Sequence, residues 1–286
     1  MILFNLKNIK CKYPGTFKEV LSIEELKIQK GKLTFLVGES GVGKSTLLET
    51  LGMMNNTISD FQDDKSQFSF FPFKDQKSIS LNPYWKVENE TLLNELRNSY
   101  FSFVFQNNNL MDSFSAIENV MLSSLIQGKS IKEAELVAKE SLKKFDIVEF
   151  SNNSTKKLSG GQKQRFAFAR AFAKDYTVIF GDEPTGNLDP VNADNLLNEL
   201  TNSIHDSNLK KGAVIVSHDI DRTIRFADHI IIINSSVQNN HKIGLINRES
   251  LFVKSNTKWS NFKDEIINNS EMKELLIGAM TKNKIS

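Results

Sequence analysis

The sequence predicts an α/β protein with a parallel sheet at its centre, and three observations carry that expectation. Short, mostly apolar runs rich in strand formers recur at 33–37 ("LTFLV"), 177–180 ("TVIF") and 212–216 ("GAVIV"), as buried parallel strands read. The first runs into a glycine-rich turn followed by "LLETLGMM" at helical spacing, a strand–turn–helix unit. Between Gln106 and Lys157 apolar residues return at spacings of three and four, the mark of amphipathic helices.

Composition bounds what such a protein does. With 286 residues, 40% hydrophobic and 24% charged, the chain is long enough for a sizeable core in one large or two small domains. Its 36 basic and 34 acidic residues leave a net charge of +2, which gives no electrostatic case for nucleic acid. The apolar run "HIIII" stops at Asn234, far short of the ~18–20 residues of a membrane span. The N-terminus "MILFNLKNIKCKYPG" has lysines after few apolar residues and no small-residue cleavage site, so it does not read as a signal peptide. A lone Cys11 excludes an internal disulfide and reads as an ordinary thiol. Together these features predict a cytoplasmic protein.

The first turn reads "GESGVGKST", and all of Gly38, Glu39, Ser40, Gly41, Val42, Gly43, Lys44, Ser45 and Thr46 are candidates for holding a nucleotide. Glycines let backbone N–H groups curl around a β-phosphate, and the helix starting near Gly43 adds its positive dipole end. Lys44 is expected on the β- and γ-phosphates and the Ser45 hydroxyl on Mg²⁺. The second strand ends in "GDEPTGNLD". A carboxylate at that strand end suits a Mg²⁺ site, which predicts Asp182. Glu183, one residue on, points to the other side and is placed to take a proton from attacking water. The third strand ends at His218, on the rim where open α/β sheets bind ligands. His205, His229 and His241 read as structural or solvated.

A second anion-seeking turn lies at "KLSGGQKQRFAFAR", 157–170, where Ser159 before Gly160 and Gly161 caps a helix and exposes its N–H groups. Ahead of it, "SIKE" forms a capping box at Ser130 and Glu133. In the aromatic stretch 57–90, "QFSFFPF" reads as an edge strand with Pro72 blocking further pairing; a partner surface is the other reading. In the tail, Ser235–Ser286, residues Phe262, Ile266, Met272, Leu275, Leu276 and Ile277 fall mostly along one helix face. That helix docks on the body, binds a partner or stays loose, and Trp259 favours none of these.

The order and spacing of "GESGVGKST", "FVFQNNNL", "LSGGQKQR", "VIFGDEPTGNLD" and "VIVSHD" resemble the Walker A loop, Q-loop, signature, Walker B with D-loop, and H-loop of an ATP-binding cassette (ABC) protein. The resemblance covers roughly 3–234. It implies a P-loop NTPase core of the ABC type with an antiparallel β-subdomain (lengthened at about 57–90) and an inserted helical subdomain at about 107–172. The ATP-binding domain would span 1–234 and the extension 235–286. By the same resemblance Gln106 contacts Mg²⁺ and the attacking water, and Asp189 lines a dimer interface. Tyr13 stacks on adenine, with Phe17 as the fallback, and Tyr176 stands where relatives commonly have proline.

ABC proteins pair head to tail, and the signature of one closes over the γ-phosphate held by the other. Ser159, Gly160 and Gly161 would be the donors, with Gln162 shaping the turn. The chain therefore needs a second cassette, its own copy or a relative's. Separate membrane subunits would dock near "NNNLMDSFSAIENV", with Leu110, Met111 and Phe114 as anchors or as subdomain core. The runs "GDEPTGNLD" and "AIENV" look most like the lipoprotein-releasing and macrolide-exporting branch, which implies an ATPase peripheral on the inner face of the cell membrane. A regulatory or cell-division cassette that signals without transport would carry the same motifs. A soluble cassette acting on nucleic acid or ribosomes would carry two cassettes or long coiled coils, and neither pattern is present. A non-hydrolysing sensor fits poorly with Glu183, Gln106 and His218 all in place.

Overall fold

The computed structural model describes residues 1–16, 18–58, 65–72, 77–86, 90–206, 211–238 and 241–281. Phe17 and, within the aromatic stretch, 59–64, 73–76 and 87–89 lie outside the described residues. The chain begins with two long strands, β1 (Ile2–Lys12) and β2 (Glu19–Gln29), then β3 (Leu33–Val37) and α1 (Lys44–Leu51). Next come β4 (Gln67–Phe70), β5 (Ile79–Ser80), α2 (Asn82–Lys86), α3 (Glu90–Tyr100) and β6 (Phe101–Val104). A run of helices follows: α4 (Ala116–Ile126), α5 (Ile131–Lys144) and α6 (Gly160–Phe172). Strands and helices then alternate through β7 (Val178–Asp182), α7 (Pro190–His205), β8 (Gly212–Val216), α8 (Ile220–Phe226) and β9 (His229–Ile232). The tail holds β10 (Asn234–Gln238), β11 (His241–Ile246), β12 (Leu251–Ser255), β13 (Lys258–Ser260), β14 (Ile266–Asn268) and α9 (Asn269–Thr281).

Among the described residues these strands form two sheets. One has the order β10-β11-β2-β1-β4-β5 and is antiparallel except where β11 joins β2; the other runs β14-β13-β12-β9-β3-β8-β7-β6. In the second sheet β9, β3, β8, β7 and β6 are parallel, and the pairs Val37↔Ile232, Leu36↔Val216, Asp182↔Val216 and Val104↔Gly181 bring their carboxyl ends to one edge. That edge is where α/β sheets place their ligands.

Both faces of the parallel strands are apolar, as burial between two layers demands. Alternation sends Phe35, Ile215, Ile230 and Ile232 into a core shared with α4–α9, while Leu36, Val214, Val216, Ile231 and Ile233 face α1 and the other sheet. Phe4, Phe70, Phe101 and Phe180 join the two sheets, with Phe4 stacked on Phe70 at 5.0 Å and Phe101 edge-on to Phe180 at 5.4 Å. Within the aromatic stretch, Gln67–Phe70 therefore packs as strand. Contrary to the edge reading, β4 is flanked on both sides, by β1 and by the two-residue β5, and the edge falls to β5.

The tail also departs from expectation. The strands β12 to β14 extend the large sheet, and α9 lies against it with Met272 and Leu276 fully buried. The expected 262–277 face is not continuous. Asn268 ends β14 and caps α9, its Oδ1 accepting from the Ser270 and Glu271 N–H groups at 2.8 and 3.1 Å, so Phe262 and Ile266 precede the helix and stay exposed. Leu275 and Ile277 sit on the solvent side. Trp259 is completely buried, and its Nε1 donates to Asn269 Oδ1 at 2.9 Å.

Candidate functional site

The phosphate turn is built where β3 stops. Gly43 is the N-cap of α1 with φ +99°, a left-handed conformation that L side chains resist, so glycine leaves the helix start open to an anion. Lys44 lies across the turn and donates to the Gly38 and Glu39 carbonyls, both at 2.8 Å. Burial pushes its ammonium below the usual lysine range, against the pull of the Glu183 and Asp182 charges. The Glu39 side chain does not face the turn's mouth: it is buried, ion-paired with Lys242 and accepting from Ser235 Oγ at 3.1 Å. Lys242 and Ser235 were not legible as neighbours, since 203 positions separate Lys242 from Glu39.

The residues expected to serve hydrolysis come from the ends of β7 and β8. Ser45 Oγ donates to Asp182 Oδ2 at 3.1 Å, which joins the helix start to the end of β7. Glu183 stands at φ +45°, an uncommon conformation for a residue with a side chain, of the kind that gathers at functional sites. Its N–H donates to the Val216 carbonyl at 3.0 Å, and its Oε1 lies 2.9 Å from His218 Nε2. His218 is exposed, just beyond β8. Gln106 is exposed beyond β6, its carbonyl accepting from Asn187 Nδ2 at 3.3 Å. Tyr13 is partly exposed beside the turn, its hydroxyl 3.0 Å from Thr46 Oγ1.

At the second turn, Ser159 caps α6 in a capping box: the Gln162 N–H donates to Ser159 Oγ at 3.2 Å and the Ser159 N–H to Gln162 Oε1 at 2.8 Å. Gly160 meets nothing within 4 Å of a notional Cβ, so the turn is open to approach. One residue of α6 that sequence reasoning passed over, Gln164, is buried and donates to the Pro184 carbonyl at 2.5 Å, next to Glu183. Asp189 caps α7, and hydrogen bonds from the Asn192 side chain and N–H hold its carboxyl below the usual range. Leu110 packs against the helical core, whereas Met111 and Phe114 are exposed. The Arg170 guanidinium donates to the Asn108 and Asn109 carbonyls at 2.9 and 2.7 Å, and so fixes the segment after Gln106.

A phosphate turn at the end of one parallel strand, with an acid pair and a histidine at the ends of its neighbours, defines a P-loop nucleotide hydrolase. The ABC transporter family profile matches residues 21–186, and the chain belongs to that family as an ATP-binding, ATP-hydrolysing cassette. The lipoprotein-releasing system ATP-binding protein LolD of Pseudoalteromonas translucida is 36% identical over 225 residues, 77% of this chain and 88% of that protein. LolD of Treponema denticola is 39% identical over 194 residues, 67% and 77% of the two chains. The cassette MJ0796, solved as a dimer in a post-hydrolysis state with ADP and Pi, is 30% identical with a TM-score of 0.66, covering 80% of this chain and 93% of that one. These similarities agree with the lipoprotein-releasing branch.

Proposed function

We propose that this chain drives separate membrane-spanning subunits of a lipoprotein-releasing or macrolide-exporting type of system, and that two cassettes close head to tail on two ATPs to do so. The observation that carries the reading is the division of labour between the two turns. Lys44, Asp182, Glu183 and His218 cluster at the sheet edge. The hydrogen bonds of the Ser159 turn run within its own helix start, leaving the Gly160 side open. An open helix N-terminus is suited to receive a γ-phosphate presented by another molecule. No helix among the described residues is long and apolar enough to cross a membrane, which accords with a peripheral subunit on the inner membrane face. Exposed Met111 and Phe114 would meet the membrane partner.

Among the described residues no three His, Cys, Asp or Glu side chains cluster as a metal cage, but the Ser45 and Asp182 oxygens suit a hard cation shared with phosphate. Ser45, Asp182 and Gln106 would hold that Mg²⁺, which when bound offsets phosphate charge. In the proposed mechanism, the N–H groups of residues 38–46 and the Lys44 ammonium bind the phosphates, and Tyr13 stacks on the base. Glu183 takes the proton from water attacking the γ-phosphorus, and His218 holds the Glu183 carboxylate in place. Signature N–H groups and the Ser159 hydroxyl of the second cassette stabilise the developing charge, with Asp189 at the shared interface.

Glu183→Gln keeps the shape and removes the base. With ATP and Mg²⁺ it is expected to run as a dimer in size-exclusion chromatography, while hydrolysis falls by about 100-fold or more. A variant that remains monomeric with ATP bound counts against closure on two nucleotides.

A further inference from the structure

We propose that Gln164, in the second turn of α6, is a positioning residue for Glu183, acting through the peptide carbonyl of Pro184. The idea rests on Glu183 serving as the base for hydrolysis. Glu183 stands at φ +45°, a conformation that is costly for a residue with a side chain and persists only where the surroundings fix it. Its N–H donates to the Val216 carbonyl at 3.0 Å, and its carbonyl accepts from the Gly186 N–H at 3.2 Å, closing a tight turn. The peptide inside that turn is held from another element. Gln164 Nε2 donates to the Pro184 carbonyl at 2.5 Å, across 20 positions of sequence. A carbonyl only accepts, so the amide nitrogen must be the atom that faces it.

The chemistry of Gln164 points to a use beyond filling space. The residue is completely buried, and its Oε1 has no hydrogen-bond partner among the described residues. A half-satisfied amide in the core loses stability relative to an apolar side chain of the same length. The bond to Pro184 is the one thing an apolar side chain there could not supply. Pro184 is itself buried, so without Gln164 its carbonyl is left unanswered and the peptide is driven to rotate. That rotation opens the turn closed by Gly186 and frees Glu183 to leave φ +45°, carrying its carboxylate from its place beside His218. The same helix start packs on this segment a second time, a notional Cβ on Gly161 lying 3.4 Å from Leu188 Cδ2. Gln164 touches no reacting atom in this scheme. Its effect falls on turnover, because the 38–46 turn and Lys44, which are expected to hold ATP, lie outside the contact.

The test uses the full chain with ATP and Mg²⁺, at protein concentrations where the rate per chain has levelled off. It measures kcat, KM, the ATP dissociation constant and the thermal midpoint for the parent and Q164M, and residual single-turnover hydrolysis for E183Q and Q164M/E183Q. Q164M keeps the length of the side chain and removes the donor. It is expected to lower kcat about tenfold or more, with KM and the ATP dissociation constant within about twofold of the parent. Q164M/E183Q should hydrolyse within about twofold of E183Q, because a residue that acts through the base has nothing left to position. Parental kcat in Q164M overturns the proposal even if the thermal midpoint falls, since the bond is then a structural tie alone. A tenfold loss of ATP affinity overturns it as well, because the whole cradle has then shifted. So does a double variant a further tenfold below E183Q, because Gln164 then acts elsewhere. Should Q164M fail to fold, Q164N, one methylene too short to reach Pro184, decides by the same comparison of kcat with KM. If E183Q hydrolyses ATP at the parental rate, the base itself has been misassigned, and that result is separable from every outcome above.

Discussion

His229 opens β9 with its ring fully buried and, among the described residues, neither ring nitrogen hydrogen-bonded. Burial pushes its pKa down from 6.5 to about 4; the Asp228 charge pulls it back up and Lys32 adds to the fall. A base depressed in this way is neutral in the folded chain. Between pH 6.5 and 4 the unfolded chain therefore binds the extra proton, and stability falls as pH drops through that window, then levels off below it. The cost amounts to about 3 kcal/mol across the window. His229→Leu is expected to remove that part of the slope in urea unfolding at pH 7, 5 and 4, and identical pH dependence in both proteins would rule the account out. Lys44→Ala belongs to the same scale. The helix start keeps its N–H groups but loses the cation, so nucleotide titration should show ATP affinity down by at least about 100-fold. An unchanged affinity would remove Lys44 from the site.

Whole elements differ in how plainly the sequence announces them. The strands β3, β7 and β8 are apolar on both faces and end in residues that the structure gathers at one edge, so the strands and the cluster beyond them are legible together. The capping box at Ser159 and Gln162 is half legible: the resemblance gives Gln162 the shaping of the turn, while its reciprocal bond with Ser159 depends on the fold of the helix start. The tail was not readable. The strands β13 and β14 have three residues each, too short for alternation to declare itself, and Trp259 finds its place only because β12 lies beside β9. The exchange of bonds across Asn268 then set where α9 began, against a hydrophobic pattern that ran straight through. Trp259→Ala empties a fully buried site and frees the Asn269 bond. It is expected to cost about 3–5 kcal/mol in denaturant unfolding, and a loss below 1 kcal/mol would mean the tail contributes little to the core.

At the scale of the molecule, one copy holds, on the proposed reading, two unlike halves of a catalytic pocket. ATPase rate per chain should therefore rise with protein concentration at low concentration and level off as dimers fill; a constant specific activity down to the nanomolar range would contradict the two-cassette reading. The path of the chain after β9 bears on how such a pocket could close. From Ile232 the backbone leaves the large sheet, forms β10 and β11 in the smaller one beside β2, and returns as β12 against β9. Each sheet is thereby stitched to the other by a continuous thread, on top of the phenylalanines between them. Prying the sheets apart would mean unzipping that thread. On the proposed reading, any travel of the Ser159 turn towards a neighbour would fall to the helices between 116 and 172, since the strands around them are tied into two joined sheets.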